Sequence, residues 1–171
     1  MSGELRYITF KTAVGWVGIL ASARGLLATT LPRPSDEEAH RRLGERLKQA
    51  GRAPYQFADL VERLRAYFRG EKVTFADELD LSGATSFQRE VWQITRLIPY
   101  GETETYLRVA ERMGRPGAMR VVGQALAKNP LPIIIPCHRV VASNGKPGGF
   151  SGGVEMKRFL LCMEVQADKG K

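Results

Sequence analysis

"TYLRVAERMGRPGAMRVVGQALAKNPLPIIIPCHRVV", residues 105 to 141, holds two short helical patterns, a tight turn between them, and an apolar run that ends on a cysteine. Thr105 is placed to cap the first helix and Gly114 to stop it. In the second, Ala118, Val121, Val122, Ala125 and Leu126 fall on one face, and the pattern ends at Asn129-Pro130. Arg108, Arg112, Arg115, Arg120 and Lys128 take the polar sides, against the single acid Glu111. The pattern suits a helix-turn-helix, and it suits equally a helical hairpin with a solvated basic face. The run "PIIIP" reads as a strand leading into Cys137, His138 and Arg139.

Upstream, "TSFQREVWQITRLIPYG" opens with Thr85 and Gln88 in capping-box spacing and presents Phe87, Val91, Ile94 and Leu97 or Ile98 to a core. Downstream, "VEMKRFLLCMEV" predicts a last helix with Cys162 on its apolar face. The first third differs in kind. "LRYITFKT", "GWVGILAS" and "GLLATTLP" predict three strands, "SDEEAHRRLGERLKQAG" an amphipathic helix with Ala39, Leu43, Leu47 and Ala50 inward, and "PYQFADLVERLRAYFRG" a second helix closed by Gly70. Helical periodicity is lost over residues 71 to 85. The expected architecture is therefore α+β in two small domains, residues 1–80 and 86–171, the second mainly helical.

At 171 residues with 43% hydrophobic and 26% charged positions, the composition is that of a folded globular protein that needs no disulfide staples. No apolar run approaches the roughly 20 residues that span a bilayer, and the N-terminus lacks a signal-peptide pattern. The expectation is a cytoplasmic protein, nuclear in a eukaryotic cell, with no membrane partner. The two cysteines would stay thiols there. Six of the eight net positive charges fall in residues 86–171, which points that half toward a polyanion.

Cys137 invites two readings, a small buried hydrophobe or a nucleophile. As a nucleophile it needs activation, because a free thiol of pKa about 8.5 is mostly protonated at neutral pH. His138 can serve it only if the chain turns, since neighbours on a strand face opposite ways, and Pro136 makes that turn plausible. His138 and Arg139 read otherwise as a surface pair, and Glu164 as a surface charge or an orienting carboxylate. His40 and Cys162 supply no metal-ligand spacing, so no metal is expected. The loop "GKPGGFSGG" has five glycines in nine residues, which admits close approach of backbone N–H groups to a ligand.

Taken in order and spacing, "FQREVW", "ETYLRVA", "RVVGQALAKNP", "IPCHRVV", "GGFSGG" and "KRFLL" closely resemble the O6-alkylguanine-DNA alkyltransferases, also called methylated-DNA–protein-cysteine methyltransferases. The resemblance covers residues 86 to 165. For the N-terminal half it implies a ribonuclease-H-like domain, a three-stranded sheet with helices. It further implies a repair protein that moves an alkyl group from guanine O6, with thymine O4 a further candidate, in duplex DNA onto its own cysteine, once and without a cofactor.

Carried onto this chain, the resemblance makes Cys137 the acceptor, His138 its base through a water, Glu164 the group orienting His138, and Tyr106 a phenolic donor. Ser151 donates from its backbone near O6, and carbonyls around Cys137 and Val140 accept from the guanine amino group. Leu126 and Pro132 line the pocket wall, Lys157 lies beside the pocket, and Asn129 braces the helix-turn-helix against the active-site strand. Arg120 fills the gap left by a flipped base, and Ala118 and Gly123 allow close approach in the minor groove; Arg108 and Arg115 are further candidates for DNA contact. Phe150 departs from the family's usual tyrosine and loses a hydroxyl. The implied partner is double-stranded DNA, bound by a monomer, with cooperative binding along DNA left open. Two other classes compete: a helix-turn-helix damage-recognition protein without chemistry, and an unrelated thiol enzyme with a Cys-His pair.

Overall fold

The computed structural model describes residues 4–169; Met1 to Gly3, Gly170 and Lys171, at the outer ends of the two expected domains, lie outside the described residues. The chain divides into two compact units, Met1–Ser82 and Gly83–Lys171.

In the first unit the strands β1 (Leu5–Thr12), β2 (Gly15–Ser22) and β3 (Gly25–Thr29) form the meander expected from their alternation. The sheet has four strands, not three. Its order is β3-β2-β1-β4, and β4 (Ala50–Arg52) runs parallel to β1 with Leu5 opposite Ala50. This strand comes from the tail of the segment expected to be one long helix. That helix, α1, covers only Asp36–Arg42, because Gly44 turns to φ +91°. A 3-10 turn then runs from Glu45 to Gln49, and the free edge of β1 takes up Ala50–Arg52.

The pairing of Tyr7 with Leu20, and of Ile8 with Ile19 and Phe10 with Val17, sorts the side chains onto two faces. Leu43 and Leu47 pack on Leu20 on one face. On the other, α2 (Ala58–Phe68) sets the Arg65 guanidinium over the Phe10 ring, while Leu60, Leu64 and Phe68 are buried along its inner stripe. Residues 78–80 tie back to β3 through Leu26 N–H to Glu78 O at 2.9 Å and Asp80 N–H to Leu26 O at 2.8 Å.

The second unit is mainly helical. Helix α3 (Ser86–Arg96) starts at a complete capping box between Thr85 and Gln88 and buries Val91 and Trp92, whose indole N–H donates to Ala125 O at 2.9 Å. Leu97 is 70% exposed and Ile98 is buried, which settles that alternative. A two-stranded parallel pairing joins β5 (Glu104–Thr105) to β6 (Val140–Val141). Thr105 caps α4 (Tyr106–Arg112), and after the Gly114–Ala118 turn comes α5 (Met119–Ala127). On α5, Val122, Ala125 and Leu126 are buried, but Val121 is exposed and Ala118, just before the helix, is only half-buried, so the apolar face is narrower than its spacing implies.

The run "PIIIP" is not a strand. Ile133 adopts φ +76°, Pro132 bridges to Ile135, and Ile135 N–H bonds back to Leu131 O at 2.8 Å. Prolines at 130, 132 and 136 remove the N–H groups a ladder would need. Its apolar residues are nevertheless buried, because a compact loop fills the core there as a strand would have done. The last helix, α6 (Val154–Lys169), buries Lys157, Leu160 and Glu164. Cys162 is exposed, contrary to expectation: it stands five residues from Lys157, about 140° around the helix from that stripe.

Candidate active site

Cys137 sits at the end of the buried loop, where Pro136 (φ −79°, ψ 63°) makes an inverse γ-turn closed by Cys137 N–H to Ile135 O at 2.7 Å. Asn129, just past the end of α5, holds this turn from both sides. Its amide donates to Ile135 O at 2.9 Å and its carbonyl accepts from Leu131 N–H at 2.8 Å. The helix-turn-helix and the cysteine are thereby fixed to each other through one side chain.

Residues Cys137–Arg139 form a single 3-10 turn, which throws successive side chains about 120° apart. Cys137, 5% exposed, lines a cleft of about 750 Å³, while His138 and Arg139 reach α6. Neither is a surface residue: His138 is 1% exposed and Arg139 is buried. Glu164, also 1% exposed, receives both. One carboxylate oxygen lies 2.5 Å from His138 Nε2 and 3.2 Å from Arg139 Nη2, and the other accepts from Arg139 Nε at 2.9 Å and Gly101 N–H at 3.1 Å. Arg139 Nη1 donates further to Ile98 O at 2.8 Å.

The charges follow from these contacts. Burial would raise the Glu164 carboxyl, but its hydrogen bonds and charge pairing with His138 and Arg139 prevail and hold it at about 2. Burial pushes His138 below its ordinary value, and Arg139 and Lys157 push the same way against the pull of Glu164. With Glu164 ionised and His138 neutral, Nε2 carries the proton to the carboxylate and Nδ1 carries the lone pair. Burial pushes the Cys137 thiol up, against Asn129 and Lys157, so the resting sulfur is protonated and needs a base.

Lys157 is fully buried, and among the described residues no carboxylate is its hydrogen-bond partner: its ammonium donates to Val140 O at 2.6 Å and Gly149 O at 3.2 Å, and lies 3.5 Å from the Tyr106 hydroxyl. Burial lowers it to about 8. Tyr106 is raised by burial and by the nearby Cys137, so its phenol stays a donor. Gly148, at φ +79°, lies so close to Tyr106 that a Cβ would stand 2.7 Å from the hydroxyl. Glycine is required there for the loop to close on the tyrosine.

The cleft lining brings together Cys137, Tyr106, Arg120, Gly123, Leu126, Phe150 and Ser151. His138, Glu164, Lys157, Val140 and Asn129 form the layer that holds the cysteine and the loop. Pro132 is not in the lining; it bridges to Ile135 within the loop. Val140 O already accepts from Lys157, with a second lone pair left on the carbonyl. Ala118 precedes α5 as its N-cap, Arg108 pairs with Glu111 at 3.5 Å, and Arg115 stacks over the Phe87 ring. Among the described residues no group of three acidic, histidine or cysteine side chains could hold a metal. Arg139 was legible only as a basic neighbour of His138, because its partner lies 25 residues further along the chain.

A thiol lining a cleft, backed by a buried His-Glu pair and tied by one asparagine to the end of a helix-turn-helix, defines a protein that presents a cysteine in a cleft beside that motif. Residues 86–166 match the model of the 6-O-methylguanine DNA methyltransferase DNA-binding domain. A methylated-DNA–protein-cysteine methyltransferase of Mycolicibacterium paratuberculosis is 50% identical over 111 residues, 65% of this chain and 67% of that one. The crystal structure of the Mycobacterium tuberculosis O6-methylguanine methyltransferase superposes over 95% of this chain and 94% of that chain, with TM-score 0.78 and 36% identity. The structure of the M. tuberculosis protein in complex with DNA gives TM-score 0.76 at 35% identity over the same shares. The chain belongs to the methylated-DNA–protein-cysteine methyltransferase family.

Proposed function

We propose that the chain repairs duplex DNA by moving one alkyl group from O6 of guanine to Cys137 Sγ, irreversibly and without a cofactor. The observation that carries the proposal is the Cys137 thiol lining the 750 Å³ cleft, with His138 and Glu164 paired at 2.5 Å immediately next in the chain and on α6. His138 Nδ1 takes the thiol proton through a water, and the thiolate attacks the alkyl carbon as the carbon–O6 bond breaks. The electron pair passes to the guanine, which regains a proton with Tyr106 as a nearby donor. The sum is thiol plus alkylguanine to thioether plus guanine. A thioether has no ready leaving path, so the sulfur is spent.

A buried thiol cannot reach an atom inside the base stack, so the nucleotide must leave the duplex, at a cost of a few kcal/mol. Arg120, exposed at the start of α5 and part of the cleft lining, is placed to fill the vacancy. Half-buried Ala118 and Gly123 suit close approach of α5 to a minor groove, and the solved DNA complex of the M. tuberculosis relative supports DNA as the partner. Phe150 and Tyr106 offer aromatic faces to the base, and Ser151 its backbone N–H to O6. A monomer suffices, since every group named lies in one unit. Titration with a duplex holding one O6-methylguanine should stop at one methyl per chain; continued turnover would contradict the proposal.

A further inference from the structure

Glu164 stands between two buried basic groups from adjacent positions of one turn, and the mechanism above uses only one of them. Arg139 meets the carboxylate through two nitrogens, at 2.9 and 3.2 Å, and is itself anchored by Ile98 O at 2.8 Å and by the Tyr100 ring at 5.6 Å. A buried carboxylate paired with histidine alone draws a proton onto the ring, giving an imidazolium that cannot accept another. A guanidinium never gives up its proton, so it cancels the carboxylate charge at every working pH. We propose that Arg139 is a positioning residue for the transfer: it fixes the plane of the Glu164 carboxylate and neutralises it, so that His138 rests as neutral imidazole with Nδ1 free of a proton. The inference rests on the reading of Cys137 as acceptor and His138 as its base.

The charged and titratable groups around His138 agree with this assignment. From α6 come Glu164, which favours imidazolium, and Lys157, which opposes it; from its own turn comes Arg139, which opposes it. Tyr100, facing Glu164 and Arg139, stays protonated because burial raises it, and Asp168 acts on Tyr100. Removing Arg139 leaves the pull of Glu164 opposed only by burial of the ring and by Lys157, which is bound to carbonyl oxygens and already lowered to about 8. At a separation of a few ångströms one lost charge moves a neighbour's titration by a unit or more, even with screening of the strength found near a protein surface.

The test is the single-turnover transfer rate from an O6-methylguanine duplex between pH 5 and 9 in wild type, Arg139→Lys and Arg139→Gln, with the His138 ring nitrogens followed by NMR in each. In Arg139→Gln the acidic limb should move up by a unit or more, so that the rate at pH 6 falls about tenfold further than the rate at pH 8.5. Arg139→Lys, which keeps the charge and loses the fork, should keep the wild-type midpoint at a reduced rate. A merely structural role would lower all rates equally, and an unmoved limb in Arg139→Gln overturns the proposal. Should Arg139→Gln not fold, wild type still decides: His138 must be neutral at pH 6.5 to 8, and an imidazolium there contradicts it. Failure of wild type to take up methyl would instead remove the acceptor reading, while the His138 titration would still report on Arg139.

Discussion

His138 Nε2 and a Glu164 carboxylate oxygen lie 2.5 Å apart, each side chain 1% exposed, across 26 residues of chain. The turn that carries the cysteine and the last helix are thus joined by a contact that is a fold element and that the proposed transfer also uses.

That contact makes acid stability diagnostic. The folded Glu164 is depressed to about 2 from an ordinary 4.5, so its contribution is fully present above about pH 4.5 and is lost as pH falls toward 2. Stability should drop by on the order of 3 kcal/mol over that window from this group alone. Glu164→Gln should flatten the drop, and should cost about 3–5 kcal/mol at pH 7 by leaving the buried Arg139 charge without its carboxylate. Denaturant unfolding of both proteins from pH 2.5 to 7 measures the two effects.

Asn129→Ala removes the bonds to Ile135 O and Leu131 N in one step. At about 1 kcal/mol for each bond, and more for buried groups left unmet, a loss of roughly 2–4 kcal/mol is expected. Transfer to Cys137 should slow beyond what the fraction unfolded accounts for, which single-turnover kinetics under native conditions would show.

Lys157→Met should remove a different pH slope. A lysine depressed to about 8 disfavours folding below that value and ceases to do so as pH rises toward its unfolded value, so wild-type stability should rise relative to Lys157→Met between about pH 8 and 10. The variant should also transfer more slowly at pH 7, because the Cys137 thiolate loses its neighbouring cation and Val140 O and Gly149 O lose their donor. Thermal unfolding across that range, paired with single-turnover rates, checks both.

Arg120→Ala should slow transfer from a duplex about tenfold or more, the order set by a few kcal/mol of unstacking, while leaving reaction with free O6-methylguanine base little changed. Equal slowing of both substrates would assign Arg120 to the cleft and not to the DNA.

The sequence carried the fold class through periodicity: β1 and β2 start and stop where alternation does, and α3 where its capping box does. It failed where tertiary context decided the backbone. Gly44 and the free edge of β1 cut a helix pattern short and made a fourth strand, a pairing no local window contains. The three prolines of residues 130–136 turned a strand-like apolar run into a buried loop with Ile133 at positive φ. At the site, Cys137 and His138 were legible as neighbours needing a turn, and the turn is there. The burial of Arg139 against Glu164 was not, because an ion pair of distant residues leaves no spacing to read, and the same holds for Lys157 against Val140 O.

The central claim is that Cys137 itself becomes the thioether. Intact-mass measurement after incubation with a duplex holding O6-methylguanine, followed by peptide mapping, tests it directly. The prediction is one added methyl per chain, on Cys137 and not on exposed Cys162, and none in Cys137→Ala. An unchanged wild-type mass, or the same added methyl in Cys137→Ala, would contradict it.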